Sequence, residues 1–498
     1  MPVFKDHSFR FGASSQGDAV YSINQSIRLS GADTTGLNRT PSSAGNTDKW
    51  TFSCWVKRGK LGQSGGGGSH QVLLSAGTSV SDFTFFGFRD SGSLPSGAAA
   101  ETISFLVADS TNNPPLNLYT TQVFRDVSAW YHLVAVYDSG NDISSERAKI
   151  YVNGSRVTEF NLESYPSQDY DSEVNKTLIQ RVGYFDLGNN KGHFDGYMSE
   201  IHLLDGYAYG PEYFGEFNSS NIWIPKKYDG GNYGTNGFYI KGSDSSALGT
   251  DSSGNGNDLT VVSGLAAHDQ VTDTPNNNFC VMNPLADYYA NHTFKNGNLE
   301  LLTSTTTNQY TYSINNIGMS SGKWYVELYV GSAVGGVVAG ISDRQGQAGT
   351  HYLGGQSYEY SYYHYNGKSI NGGTQSAYGN TYTTGDIIGI ALDLDNSKLY
   401  FSKNGTFQNS GVPTSGSTGT GAISITAVAS TQNGNYFFAV GDWSNSYSTN
   451  FFWNFGQEGT FAGNTTAGGN SDGNGIGNFK YSVPSGYLAL CTSNLFTG

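Results

Sequence analysis

The stretch GDIIGIALDLDNSKLYFSKNG, residues 385–405, reads as two strands and two turns. Ile388, Ile390, Leu392 and Leu394 alternate with Gly389, Ala391 and Asp393, the period of two that sends one set of side chains to one face of a sheet. Asp395, Asn396 and Ser397 break the run with side chains that hydrogen-bond their own backbone. Leu399 and Phe401 resume the alternation, and Asn404-Gly405 supplies a turn that tolerates positive φ. The same plan occurs in residues 130–154, where YHLVAVYDS, a polar loop and AKIYVNG lead to a second Asn-Gly turn at Asn153-Gly154. Each half of the chain is expected to be built around one such hairpin.

A chain of 498 residues is too long for one ordinary sandwich and predicts two domains. Charged residues are only 13%, while 67 glycines, 34 tyrosines and 28 phenylalanines are present. No window carries a long apolar stripe of helical period, so the aromatic and β-branched residues must pack in sheets. The fold class is all-β, two β-sandwiches. Residues 243–283 turn rich in Asp, Ser, Asn and Gly, which predicts a polar linker between domains at 1–242 and 284–498, with a short strand at 259–262.

The formal net charge is −14, and no basic cluster exceeds the pairs Lys57-Arg58 and Lys226-Lys227, so a nucleic-acid partner is not expected. There is no apolar run of membrane-spanning length, and the opening MPVFKDHSFRFG lacks a secretory apolar core, so no membrane insertion and folding in a cytoplasm are expected. Cys54, Cys280 and Cys491 lie far apart without a CxxC, the pattern of buried thiols rather than of disulfides or zinc.

Two resemblances refine this reading. The segments NRTPSSAGNTDKWTFSCWVKRG (38–59), HQVLLSAG, VFRDVSAWYHLVAVYD, IYVNGSRV, YPSQ and FDGYMSEIHLLDGYAYGPEYFGE resemble, in order, the laminin-G-like, concanavalin-type jelly-roll domains of bacteriophage structural proteins. That resemblance covers roughly residues 20–245. In the second half, GKWYVELYVG (322–331) with Glu327, VVAGISD (337–343), the 385–405 hairpin and YFFAVGDW to NFFWNFGQ (436–457) resemble a SPRY domain, the core of the B30.2 module. Both families are jelly-roll sandwiches, which implies two concanavalin-like domains and accounts for the repeated hairpin. The Gly-rich stretches 411–421 and 459–477 depart from the SPRY pattern.

Candidate chemistry is sparse. Asp169, Asp171 and Glu173 would share one face if they lay on a strand, about 7 Å apart, as the carboxylates of concanavalin-like glucanases do. The segment follows Pro166 in a polar loop and lacks the order of those enzymes, so the chain is read as no enzyme, with glycan depolymerase kept as an alternative. The laminin-G-like resemblance implies one candidate cofactor, calcium at a rim site, for which Asp186, Asp195 and Asp205 flank suitable loops; a solvated turn carboxylate is the plainer role for each. In the second half, Tyr358 and Tyr360 open a tyrosine-rich run that is either a sugar-stacking platform or sandwich packing. The segment 436–456 reads as a hairpin with Asp442, Trp443 and Tyr447 at its tip, either a ligand surface or the cover of a sheet edge.

The resemblances imply a structural protein of a tailed-phage virion, made in the host cytoplasm. A tail-fibre or receptor-binding component that recognises host surface glycan or protein through jelly-roll loops is expected, with a head fibre or capsid decoration protein as the alternative. Other virion proteins and copies of itself, as a homo-oligomer, are the expected partners.

Overall fold

The computed structural model describes residues 21–61, 70–89, 99–111, 114–188, 190–286, 292–303, 311–343, 352–443 and 448–495. The first half forms two eight-stranded antiparallel sheets. One has Lys49–Arg58 between Trp130–Asp138 and Gly196–Asp205 at its centre; the other runs from Phe160–Ser164 through Thr102–Ala108 and His70–Gly77 to Gly36–Arg39. Trp50, Phe52, Cys54 and Val56 point between the sheets and meet Phe86, Phe88, Phe105 and Leu133, as their alternation requires.

The second half is also a sandwich. A nine-stranded sheet holds Lys323–Ser332 between Ile387–Asp393 and Asn450–Asn454, and a six-stranded sheet runs Thr311–Ile314, Phe437–Asp442, Val337–Ser342, Glu359–Tyr363, Lys368–Asn371, Thr374–Ala377. Ile388, Ile390 and Leu392 face the core, against Val326, Ala339 and Val440. Ala391 faces the other way, under Phe479, Tyr487 and Cys491 of the C-terminal segment. Gly389 is a glycine because a Cβ there would collide with Ser402 and the Tyr325 ring. The two Asn-Gly turns adopt the same left-handed pair, with φ 47° and 80° at Asn153-Gly154 and 48° and 80° at Asn404-Gly405. All three cysteines are free and buried.

The stretch 243–283, expected as a polar linker, is packed into the molecule. Thr260–Val262 adds to Gly36–Arg39 and Gln270–Val271 pairs with Ser26–Leu29. One continuous apolar cluster crosses from Ile23, Trp55, Trp130, Tyr197 and Val271 to Val281, Leu299, Leu301 and Trp453. The outward face of the first sheet is therefore buried by the second half at this seam. Composition pointed to a free linker because the polar side chains that dominate it are used internally: Asp269 binds Arg28 at 3.1 Å and Asp273 binds Lys57 at 2.8 Å, all four buried.

Candidate functional site

The six-stranded sheet of the second half ends in the hairpin Lys368–Asn371 and Thr374–Ala377, turned by Gly372 and Gly373 at φ 54° and 75°. Its register places Tyr362 opposite Ser369 and Ser369 opposite Ser376, so Tyr360, Tyr362, Ser369, Asn371, Thr374 and Ser376 share the inward face. The inward face is apolar across most of this sheet and becomes hydroxyl and amide at its edge. Across from it lies Ile423–Ser424, which pairs with Lys398–Lys403 of the other sheet. Between them opens a cleft of about 310 Å³, lined by Tyr360, Ser369, Asn371, Thr374, Ser376, Tyr378, Asn409 and Ser424 among others.

Two tyrosines form its fixed part. The Tyr360 hydroxyl accepts the Thr426 N–H at 2.9 Å and meets Thr426 Oγ1 at 3.0 Å. The Tyr378 hydroxyl accepts the Phe401 N–H at 2.9 Å, and burial pushes its phenol above the ordinary range. Tyr360 is thus brought to the cleft as a wall residue, whereas Tyr358, at φ 64°, packs half-buried against the sandwich core. Sequence reading missed Ser369, Asn371, Thr374, Ser376 and Tyr378. The signal was present in KSINGGTQSA, an Asn-Gly-Gly hairpin whose inward positions are all polar.

The other candidate residues lie apart. Asp442 is buried, accepting from Thr303 Oγ1 at 2.5 Å and Thr449 Oγ1 at 3.3 Å. Trp443 is half-buried on the outer face of the six-stranded sheet, stacked on Tyr352 with ring centroids 3.9 Å apart and tilted over Tyr363 at 5.0 Å. Tyr447 lies outside the described residues. Tyr365, at the end of the tyrosine-rich run, is 74% exposed.

The three aspartates do not converge. Asp195 and Asp205 bracket Gly196–Asp205, which at roughly 3.3 Å per residue separates them by about 30 Å. Asp205 is buried and accepts from the Asn46 N–H (2.7 Å), the Asn236 N–H (2.8 Å) and Asn175 Nδ2 (3.1 Å), so it pins three loops together. Asp195 accepts the Gly31 N–H at 3.2 Å, and burial raises its carboxyl to about 6. Asp186 pairs with Lys191 at 3.2 Å on the surface. Among the described residues no group of three or more His, Cys, Asp or Glu could hold a metal ion. The acidic segment is no strand either: Asp169 has φ 58°, Asp171 accepts from Thr47 Oγ1 and Glu173 pairs with Lys176.

Glu327, a residue of the SPRY-like pattern, is fully buried and accepts the Lys480 and Tyr481 N–H groups at 2.7 and 2.8 Å. Burial pushes its carboxyl up to about 7 against the pull of those bonds. It fastens the C-terminal segment to the sheet, far from the cleft in sequence and function.

Among the described residues no helix is long and apolar enough to cross a membrane. No curated protein matches the chain. Among solved structures, the SPRY domain of human HERC1 is 19% identical, with 34% of this chain and 96% of that one covered and a TM-score of 0.28. A putative carbohydrate binding protein from Bacteroides ovatus is 13% identical, with 49% and 60% covered and a TM-score of 0.32. A heptameric SAP-like pentraxin from Limulus polyphemus is 14% identical, with 38% and 80% covered and a TM-score of 0.27. Residues 31–209 match the model of the concanavalin A-like lectin/glucanases superfamily and residues 323–442 that of the SPRY domain, so the chain joins a concanavalin-like sandwich to a SPRY sandwich.

Proposed function

We propose that the chain is an attachment component of a tailed-phage virion, a tail-fibre or receptor-binding protein that recognises host surface glycan or protein. The observation that carries recognition is the cleft beside Tyr360, a polar depression whose lining holds no charged side chain and is backed by two anchored tyrosines. The virion setting rests on the ordered motifs of residues 20–245, which resemble phage laminin-G-like modules, while the match of residues 31–209 to a superfamily that includes lectins supports recognition of a glycan. The reading is non-catalytic: Asp171 and Glu173, the carboxylates nearest to a glucanase pair, are held by Thr47 and Lys176 in a loop.

A second reading, a head fibre or capsid decoration protein, is favoured by the seam. Two sandwiches sharing one apolar cluster make a continuous packing body of the kind a shell component needs. Competition separates the two. Purified chain added to host cells should block virion adsorption if it is the attachment component. Undiminished adsorption, with the protein located at the head in a low-resolution virion map, would replace that reading with decoration.

A further inference from the structure

We infer that the cleft beside Tyr360 binds an uncharged saccharide unit. This deepens the attachment reading and rests on it only for the biological setting. The argument starts from the register. Ser369, Asn371, Thr374 and Ser376 occupy inward positions that the same sheet fills with Val337, Ala339, Ile341, Phe438 and Val440 nearer its centre. Hydroxyls and amides closed into a dry core would lose hydrogen bonds to water without replacement, at about 1–3 kcal/mol each. The two sheets therefore stay parted at this edge, and the space between them remains open and hydrogen-bonding.

What the cleft offers defines what fits. Its lining contains no Asp, Glu, Lys, Arg or His. At the rim, Lys398 donates to Ser424 Oγ at 3.0 Å. A charged ligand would meet no counter-charge in the lining itself, the rim ammonium of Lys398 being engaged with Ser424, and the net charge of −14 opposes anions further. Asn371 spends one amide donor on the Glu359 carbonyl at 2.9 Å, which fixes the side chain and leaves its oxygen to accept. Tyr360 and Tyr378, tied by their hydroxyls and 5% and 8% exposed, contribute a small area of ring carbon without further ordering cost. Hydroxyl-rich polar edges combined with a small apolar face describe a neutral sugar ring. At about 310 Å³ the site lies at the low end of ligand pockets, which suits one or two rings rather than a long chain.

The test uses the full chain and immobilised polysaccharides, neutral (dextran, mannan, galactan) and acidic (polygalacturonate, polysialate). Ser376→Trp fills the cleft from one wall and Ser424→Trp from the other; both sites are exposed, and thermal melts establish that each variant folds. Retention on at least one neutral polymer, weakened ten-fold or more by both variants, is the expected result. Retention on acidic polymers alone, or neutral retention that neither variant changes, overturns the inference while leaving host attachment intact. Attachment that survives periodate treatment of the cells but not protease treatment overturns it in favour of a polypeptide ligand, which the edge of Thr374–Ala377, unpaired among the described residues, would pair. Absence of any attachment to host cells, with neutral sugar still bound in the cleft, overturns the attachment reading alone; absence of both overturns both.

Discussion

Lys57 and Asp273 form a fully buried ion pair of 2.8 Å where the two sandwiches meet. The Lys57 ammonium also donates to Asn278 Oδ1 at 2.7 Å and the Phe279 carbonyl at 2.8 Å, so its three protons are all used. Asp273 in turn accepts the Trp130 indole N–H at 3.1 Å and the Phe279 N–H at 3.3 Å. Lys57 belongs to a strand of the first sandwich and Phe279 to the entry of the second. The pair fixes how the segment between them crosses.

Removing one partner leaves the other charge buried. Lys57→Met should cost about 3–5 kcal/mol, and Lys57→Met with Asp273→Asn should recover part of that loss. Denaturant titration of the single and double variants gives the coupling. A cost below about 1 kcal/mol for Lys57→Met would mean that the seam opens to water.

The stability contributed by Glu327 should fall as pH rises through its titration window. Its carboxyl keeps its proton to about 7 in the folded chain and releases it near 4.5 when unfolded. At this site the folded state therefore binds more protons between those values, and the stability this group alone loses across the window is on the order of 3 kcal/mol. Asp195, raised to about 6, acts with the same sign at lower pH. Glu327→Gln should flatten the pH slope between 4.5 and 7 in denaturation measured over a pH series; an unchanged slope would refute the assignment.

His132 should oppose this trend at acid pH. It accepts the Trp223 indole N–H at Nδ1 (3.0 Å), which leaves Nε2–H to donate to Ser53 Oγ (2.9 Å), a neutral tautomer set by its neighbours. Burial, with His202 nearby, lowers its value from 6.5 to about 3, so the unfolded state binds the extra proton and acidification below 6.5 destabilises the fold. Nitrogen chemical shifts at pH 5 should show one protonated and one bare ring nitrogen. An imidazolium signature there would contradict the geometry.

Trp443 should behave as a packed residue. The sequence leaves Trp443 open between a ligand surface, where Trp443→Ala would stay within about 1 kcal/mol, and the cover of a sheet edge. Stacked on Tyr352 and half-buried, it should lose about 2 kcal/mol in Trp443→Ala, with most restored in Trp443→Phe. Chemical denaturation of both variants reads this directly.

Asp205→Ala should destabilise by about 2–4 kcal/mol, because the Asn46 and Asn236 N–H groups lose their acceptor inside the protein. Asp186→Ala, at an exposed ion pair, should stay within about 0.5 kcal/mol. Since the aspartates do not converge, chelator treatment should leave the melting temperature of the wild-type chain unchanged; a drop reversed by calcium would place a metal elsewhere.

The all-β class, both hairpins and the two sandwiches are legible in the residue pattern, because these depend on local quantities. Alternation in Ile388, Ile390 and Leu392 sets the buried face, and the Asn-Gly pairs set the turns, whatever the rest of the chain does. The seam and the cleft were decided only by tertiary structure. Asp273 and Lys57 are 216 residues apart, and nothing in a polar run tells whether its carboxylates face water or a buried ammonium. Likewise Ser376 becomes a wall residue only because Ser424 of the other sheet lies across from it, and the two are brought together by the packing of the sheets and not by the local pattern of either strand.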